Sequence, residues 1–565
     1  KSTVNGSSSF KNNEATKNGG AIYNIGSKTF NITGYNNEEN KVIFGGNTAG
    51  SKGGAIYNEN SNLTISNSIF EGNQTTGDDG GAIYNNSRES ETLKISDSTF
   101  TTNQSKGFGG AISMASGNLE LENTDFAGNS GYGGGALYIE SSVKETTITG
   151  GTFKDNITRT GDGGVIYDES YGTSTVSDAK FEKNSANQIS GVGGAIYKVN
   201  GTLDIQNTEF NTNSAKAGGA IYNYSDIFAS NDVNFTGNFS ETSGGAIHNE
   251  NNSTSTITGG TFEGNEAIKG NGGAIFDASY NATTISNATF KNNMATEACG
   301  GAIYRQNGSL ALTNTDFIGN SAKRGGAIYN DAETVNIKAN GKDVLFDGNS
   351  ATELEATSDI YNSGTVNLVA DKTHSITFNG NIGTDENETG TINISSSNTG
   401  TINFNGIVSY QDITLNNGTL VLGQNATAGR TNYFDNVSLT LNGGTLSSAN
   451  NFIDKITIDN LNVVEDANFT FDISLDSEEG TSDFFQIGSY LGNTKLNIGK
   501  LNIIAGMEDG QTRSKIKFSN QARLDTIIDE INKRISFGGV NYDVYLENNI
   551  LTVLREVLRL TLHTQ

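Results

Sequence analysis

The 565-residue chain has no proline and no tryptophan, one cysteine, three methionines and three histidines. Each scarcity removes a class of protein. A single cysteine, Cys299, rules out a disulfide framework; with no matched histidine partner it reads as a loop residue and not as a nucleophile. Basic residues number 36 against 62 acidic ones, a net charge of -26. The chain therefore lacks the basic face that phosphate backbones require, and no nucleic-acid partner is expected. No apolar run reaches the ~18–20 residues of a membrane span, so no membrane insertion by this segment is expected. His248, His374 and His563 share no spacing suited to a metal. No glycine-rich phosphate loop opens a helix. The expected cofactor and metal sites are therefore none.

What the chain has is glycine, 71 residues of it, and repetition. The stretch "LTISNSIFEGNQTTGDDGGAIYN" from Leu63 to Asn85 returns as "LDIQNTEFNTNSAKAGGAIYN" from Leu203 and "LALTNTDFIGNSAKRGGAIYN" from Leu310. A Gly-Gly doublet opens this motif twelve times between Gly19 and Gly325, at spacings of 25 to 34 residues. Phe-x-x-Asn precedes each doublet, and two more copies, at Phe346 and Phe378, lack it; after Phe346 the slot reads "SDIYN". Such a period signals a solenoid, propeller or array. The Leu-x-Ile runs alternate with period two, and Gly, Asn, Ser and Thr clusters punctuate them. The repeats show no helical apolar spacing, and neither the leucine-rich nor the Trp-Asp pattern occurs. Short strands and polar turns at 25–30 residues per coil predict an all-β protein, a parallel β-helix with one coil per repeat.

Comparison of copies assigns the slots. The Ile slot is Ile in eleven of twelve copies and Leu137 in the other, as expected of an apolar interior. The Tyr slot accepts Ser113, His248 and Phe276, so it is expected outside or at a bend. The Asn of Phe-x-x-Asn is invariant over fourteen copies. Stacked coils would let its amide bond the Asn of neighbouring coils, about 4.8 Å away, and the turn backbone. The doublet is expected to supply a turn conformation denied to other residues.

Alternating GGAI and FxxN motifs from Phe10 to Asn381 resemble those of the chlamydial polymorphic outer-membrane proteins and related autotransporter passengers. The resemblance implies a right-handed β-helix exported to the bacterial cell surface, outer membrane-associated or secreted, and often adhesive. In that family a transmembrane barrel would follow; Lys1 reads as the start of a processed or trimmed chain. The expected organisation is a repeat β-helix over 1–390, shorter degenerate coils over 391–475, and a C-terminal capping region over 476–565. Leu524, Ile527, Ile528, Ile531 and Ile535 have helical spacing, which predicts one short amphipathic helix over 522–535. A hairpin turning at Asn548-Asn549 is expected after it.

Parallel β-helices also house glycan-cleaving enzymes, which need paired carboxylates or carboxylate-held Ca²⁺. "NTD" at Asn123–Asp125 and Asn314–Asp316 looks like a polygalacturonase fragment, but it is a repeat slot. Asp78, Asp79 and Asp162, in the loops before the doublets, read as solvated turns. No catalytic residue is expected, and the chain is not expected to be an enzyme. Local function would lie in deviations: the insert Ile25–Lys41, the loop Asn187–Val192 or the C-terminal region. The expected function is that of an adhesin or surface-binding scaffold, with a host-cell or surface receptor or a glycan as partner. The alternatives are a self-assembling filament or coat subunit, hence a homo-oligomer, and a glycan-cleaving enzyme.

Overall fold

The computed structural model describes residues 2–26, 28–36, 40–186, 190–251, 253–331, 333–371, 373–397, 400–477, 480–491, 494, 496–509, 511, 513–517, 528–531, 534–538, 540–547 and 550–555. The chain is an all-β parallel β-solenoid of about 18 turns. It divides into two compact units, Lys1–Leu310 with Thr315–Tyr329, and Ala311–Asn314 with Asn330–Gln565.

One coil of the first unit shows how the repeat folds. Ile56–Glu59, Asn62–Ser66, Ser68–Glu71 and Gln74–Thr75 are its strands. Each lies parallel to its counterpart one repeat later, with like residue on like residue: Ile56 on Ile83, Leu63 on Leu93, Phe70 on Phe100. Leu63 and Ile65 point inward while Asn62, Thr64 and Ser66 point out. Period-two alternation thus builds an apolar interior and a polar exterior. The phenylalanines from Phe10 to Phe317 form one continuous stack, with neighbouring centroids 4.5–5.1 Å apart.

The invariant Asn is fully satisfied in this interior, as Asn73 shows. Asn73 is fully buried. Its Nδ2 donates to Asn103 Oδ1 at 2.9 Å and to the Phe44 carbonyl at 2.9 Å. Its Oδ1 accepts the Asn47 Nδ2 at 2.8 Å and the Asn47 backbone N–H at 3.1 Å. Two donors and two acceptor sites are all used, which is the full capacity of an amide. The expected Asn ladder is present in the first unit from Asn13 to Asn320, with Nδ2–Oδ1 distances of 2.8–3.1 Å.

The two glycines of the doublet answer different demands. Gly80 has φ +70°, the left-handed region. A Cβ on Gly81 would lie 2.0 Å from the Gly110 carbonyl oxygen. The first glycine serves the turn; the second serves the close approach of the next coil, a constraint the repeat pattern did not reveal.

A second inward polar column follows the Ile slot. Asn58 Nδ2 donates to Asn85 Oδ1 at 2.7 Å, and Asn223 Nδ2 to Asn249 Oδ1 at 2.6 Å. Between them the same column carries Asp168 and Lys198, 1% and 0% exposed, with Nζ 2.9 Å from Oδ2. Lys198 also donates to the Ser170 carbonyl at 2.9 Å and to Ser170 Oγ at 2.8 Å, so all three ammonium protons are placed. Burial lowers the Lys198 pKa, and Asp168 opposes that. Asp277 and Arg305 form a second such pair, also buried.

In the second unit the coils continue through Ile392, Ile413, Leu439 and Leu461, stacked in parallel register. Here Asn349 Nδ2 donates to Asp359 Oδ1 at 2.9 Å. Asp359 occupies the Ala slot of "SDIYN", and Asp359 Oδ2 accepts the Gly380 N–H at 2.7 Å. Burial drives its pKa up to about 7; those two hydrogen bonds oppose the rise and Asp347 adds to it.

Towards the C-terminus the pairing turns antiparallel: Val540–Glu547 pairs with Ile550–Arg555 and with Arg534–Phe537. The expected hairpin is therefore present, while Asn548 and Asn549 lie outside the described residues. The helix expected over 522–535 is corrected where it is described. Ile528–Ile531 is a strand paired in parallel with Leu496–Ala505, and Arg534–Phe537 is a strand as well. β-branched isoleucines beside an open strand edge favour pairing over helix. Leu524 and Ile527 lie outside the described residues.

Two tests follow from this packing. Lys198→Met would leave the Asp168 carboxylate buried without its cation, at a cost of ~3–5 kcal/mol in urea unfolding. Asp168→Asn with Lys198→Asn rebuilds the Asn-on-Asn contact seen at Asn223 and should come within ~1 kcal/mol of the parent. Equal losses in the two variants would refute the pairing argument. For Asp359, the folded state keeps a proton that the unfolded state loses near its ordinary pKa. Stability of the second unit should therefore fall as pH rises from about 4 to about 7, by up to ~1.4 kcal/mol per pH unit for this group. Asp483, raised to about 7 mainly by burial, adds a second share. Asp359→Asn should flatten the slope in unfolding series across that range, and an unchanged slope would reject the assignment.

Candidate functional site

The residues singled out above resolve first into scaffold. Asn123 sits at φ 44° and Asn314 at φ 53°, left-handed corners that Asn and Asp tolerate. The "NTD" slot is thus a corner leading into a strand, Asp125–Ala127 in the one copy and Asp316–Ile318 in the other, and Asp125 Oδ1 accepts the Thr152 N–H of the next coil at 2.8 Å. Asp79 Oδ1 accepts the Phe108 N–H at 2.8 Å, and Asp162 Oδ1 the Val192 N–H at 2.9 Å. Asp78 Oδ2 accepts Ser51 Oγ at 2.5 Å. The Cys299 N–H donates to Asn271 Oδ1 at 3.0 Å, the same contact from the same slot. His374 lies in a loop with Nδ1 3.6 Å from Asp343 Oδ1; His563 lies outside the described residues. The insert Ile25–Lys41 is no excursion where described: Thr29–Thr33 is a coil strand in register with Asn62–Ser66. Of the loop Asn187–Val192, residues 187–189 lie outside the described residues.

What the structure does bring together is the Tyr slot. It points outward, as expected, but its rings form a column. From Tyr138 the stack runs through Tyr167, Tyr197, Tyr222, His248, Phe276 and Tyr304 to Tyr329, with centroids 4.4–5.6 Å apart. Most of these rings are half-buried; Tyr197 and Tyr222 meet edge to face, and the other pairs stack or tilt.

Carboxylates border the column. A residue two positions after the Tyr slot faces the same side, and there stand Glu59, Glu140, Glu169 and Glu250. The hydroxyls of Tyr138 and Tyr167 both donate to Glu169, at 2.8 and 2.6 Å, and that of Tyr222 to Glu250. Burial, Glu169 and its neighbours push the Tyr138 and Tyr167 hydroxyls far up. Burial raises Glu140, with Asp79 and Glu169 adding and Lys52 opposing. Asp79 and Asp162 are likewise raised by burial. His248 Nε2 lies 3.6 Å from Glu250 Oε2, placed for an ion pair when the ring is protonated. These acids were visible in the sequence as "IYNE", "LYIE", "IYDE" and "IHNE", but only once the Tyr slot is known to face outward.

The column has one vacancy, at Ser113, and it is filled from elsewhere. Phe108, from the loop before the doublet, stacks on Tyr138 at 4.6 Å. On the other side Lys52 Nζ lies 4.2 Å from the centre of the Tyr84 ring and donates to its hydroxyl at 2.8 Å. Ser113 Oγ is left buried with no hydrogen-bond partner. Among the described residues no group of three or more His, Cys, Asp and Glu is placed to hold a metal.

Five stretches of the chain match the Chlamydia polymorphic membrane protein (Chlamydia_PMP) repeat: residues 7–25, 41–59, 67–86, 232–250 and 314–331. The chain carries the repeats of that family, as its motifs led one to expect. Repeats and solenoid together fit a surface-exposed autotransporter passenger, and the family indicates an outer-membrane or surface-associated protein. The chain has no match among curated proteins.

The vacancy gives a test of the column. Phe108→Ala should cost ~1–2 kcal/mol through lost burial, and Ser113→Tyr alone ~1–3 kcal/mol through overpacking against Phe108. Together they should cost less than the sum by ~1 kcal/mol or more, because the new ring takes the vacated place. Additive losses in a double-mutant cycle would show that Phe108 does not substitute for the missing ring.

Proposed function

We propose that the chain is an adhesin: a passenger that acts at the bacterial cell surface by binding, not catalysis, through the aromatic column of its first unit. The observation that carries this reading is the outward aromatic column edged by carboxylates. The interior already has its own Phe stack and Asn ladder, so the scaffold does not need a second aromatic stack on the outside. Outward aromatic edges with hydroxyls held by Glu169 and Glu250 combine apolar area with fixed polar groups. Aromatic residues of this kind dominate protein recognition surfaces. The raised carboxyls Asp79, Glu140 and Asp162 would gain from an incoming cationic group, which favours a receptor surface rich in Lys or Arg.

The test is saturable binding of the labelled chain to a host-cell monolayer. A variant with Tyr167→Ser, Tyr197→Ser and Tyr304→Ser should bind about tenfold or more weakly. A control changed on the threonine-rich outer face, Thr175→Ala with Thr256→Ala, should bind like the parent. Equal binding by the two folded variants would reject the column as the adhesive surface.

A further inference from the structure

The second unit carries a polar furrow that neither the repeats nor the aromatic column explain. Two adjoining cavities of about 460 and 480 Å³ share Asp347 and Asn379 as a common wall. Their size falls in the range of small-ligand sites, ~300–1,000 Å³. The first is closed on one side by the loop from Gly423 to Arg430.

A side-chain ladder lines that cavity. Asn379 Nδ2 donates to Asp347 Oδ1 at 2.8 Å, and Asn405 Nδ2 to Asn379 Oδ1 at 2.7 Å. Asn405 Oδ1 in turn accepts the Asn425 N–H at 3.3 Å. These rungs stand one coil apart, about 4.8 Å, close to the advance per residue of an extended polysaccharide. An amide ladder offers donors and acceptors alternately, which is what a row of hydroxyls needs.

The loop is pinned, not loose. A Cβ on Gly423 would lie 2.0 Å from the Tyr433 hydroxyl, and one on Gly429 2.4 Å from the Ile453 carbonyl oxygen. The Arg430 N–H donates to Asp454 Oδ1 at 2.6 Å. The exposed Arg430 guanidinium lies over the Tyr433 ring at 5.5 Å, and its Nη1 donates to the Asn405 carbonyl at 2.5 Å. A fixed cation therefore stands at one end of the ladder and the Asp347 carboxylate at the other. Guanidinium suits a planar carboxylate. Asp347, in a chain of net charge -26, would repel a polyanion.

We propose that this furrow binds a linear oligosaccharide ending in a single acidic sugar, its carboxylate on Arg430 and its hydroxyls along Asn405, Asn379 and Asp347. The site lies in the second unit and is independent of the aromatic column of the first. The test is titration calorimetry of the full chain with sialyllactose, lactose and a heparin fragment. Saturable binding of sialyllactose is expected, with lactose at least tenfold weaker and heparin unbound. Arg430→Gln should weaken sialyllactose at least tenfold, and Arg430→Lys less than that. Asn405→Ala should weaken both sialyllactose and lactose. Melting curves matching the parent's identify the folded variants. No saturable binding of sialyllactose, a preference for heparin, or full binding by folded Arg430→Gln would each overturn the proposal.

Discussion

The structure depends on one buried amide. The Asn of Phe-x-x-Asn reaches the Asn of the coil after it and the Phe carbonyl of the coil before it, so each side chain ties three coils together. A buried amide left half-satisfied would cost ~1–3 kcal/mol at every coil. The bonds can be completed only if each coil stacks in strict register on the last, because a slip of one residue turns every inward side chain outward. The parallel Phe stack, the close approach at the second glycine of the doublet and the left-handed corners are consequences of that register. Coil length between the Asn residues varies freely, from 25 to 34 residues, since only the stacked segments must agree.

The second inward column shows which substitutions such a register permits. Asn on Asn can be replaced by Asp on Lys or Asp on Arg, because each partner still meets a complementary group directly above or below. The cost of burying the charges is offset by Coulomb attraction and by filled hydrogen bonds, as at Lys198 with Asp168 and Ser170. A lone charge in the column would have no such offset. The column is therefore read in pairs, each member meaningful only beside its neighbour one coil away.

This also explains what was legible in the sequence. The Phe, Ile and Asn slots could be assigned from one chain because a dozen copies expose what each slot refuses. Asp168, Lys198, Asp277 and Arg305 give no signal in the sequence because their slot varies, Met114 and Ile139 also standing in it, and the sense of each charge lies in a partner about thirty residues distant. Gly81 reads as a turn residue because a sequence shows a local neighbour and not the coil stacked above. Where described, the helix expected over 522–535 gives way to strand for a related reason: Ile528 and Ile531 fit a helical stripe, but strand pairing with residues near Leu496 is a non-local term that periodicity does not contain. The carboxylates at Glu140 and Glu169 carry no signal in the sequence until the facing direction of the tyrosine slot gives their offset a meaning.

A solenoid with this division of labour places its chemistry differently from a globular enzyme. Any outward slot is repeated at coil spacing, so whatever occupies it becomes a row: rings from Tyr138 to Tyr329 in the first unit, Asp347, Asn379 and Asn405 in the second. Rows favour extended partners, because each added coil offers the same contact again and successive contacts act at high effective concentration. A single catalytic constellation instead requires several different residues to converge at one point. The in-register stack works against this, since it sets like residue on like residue. Breaks in the rows are where differences collect, as at Ser113, where Phe108 and Lys52 enter from the loops, and at Arg430, where a pinned loop ends the amide ladder. In the binding reading proposed above, selectivity is set by where a row is interrupted, and the repeated positions on either side supply affinity.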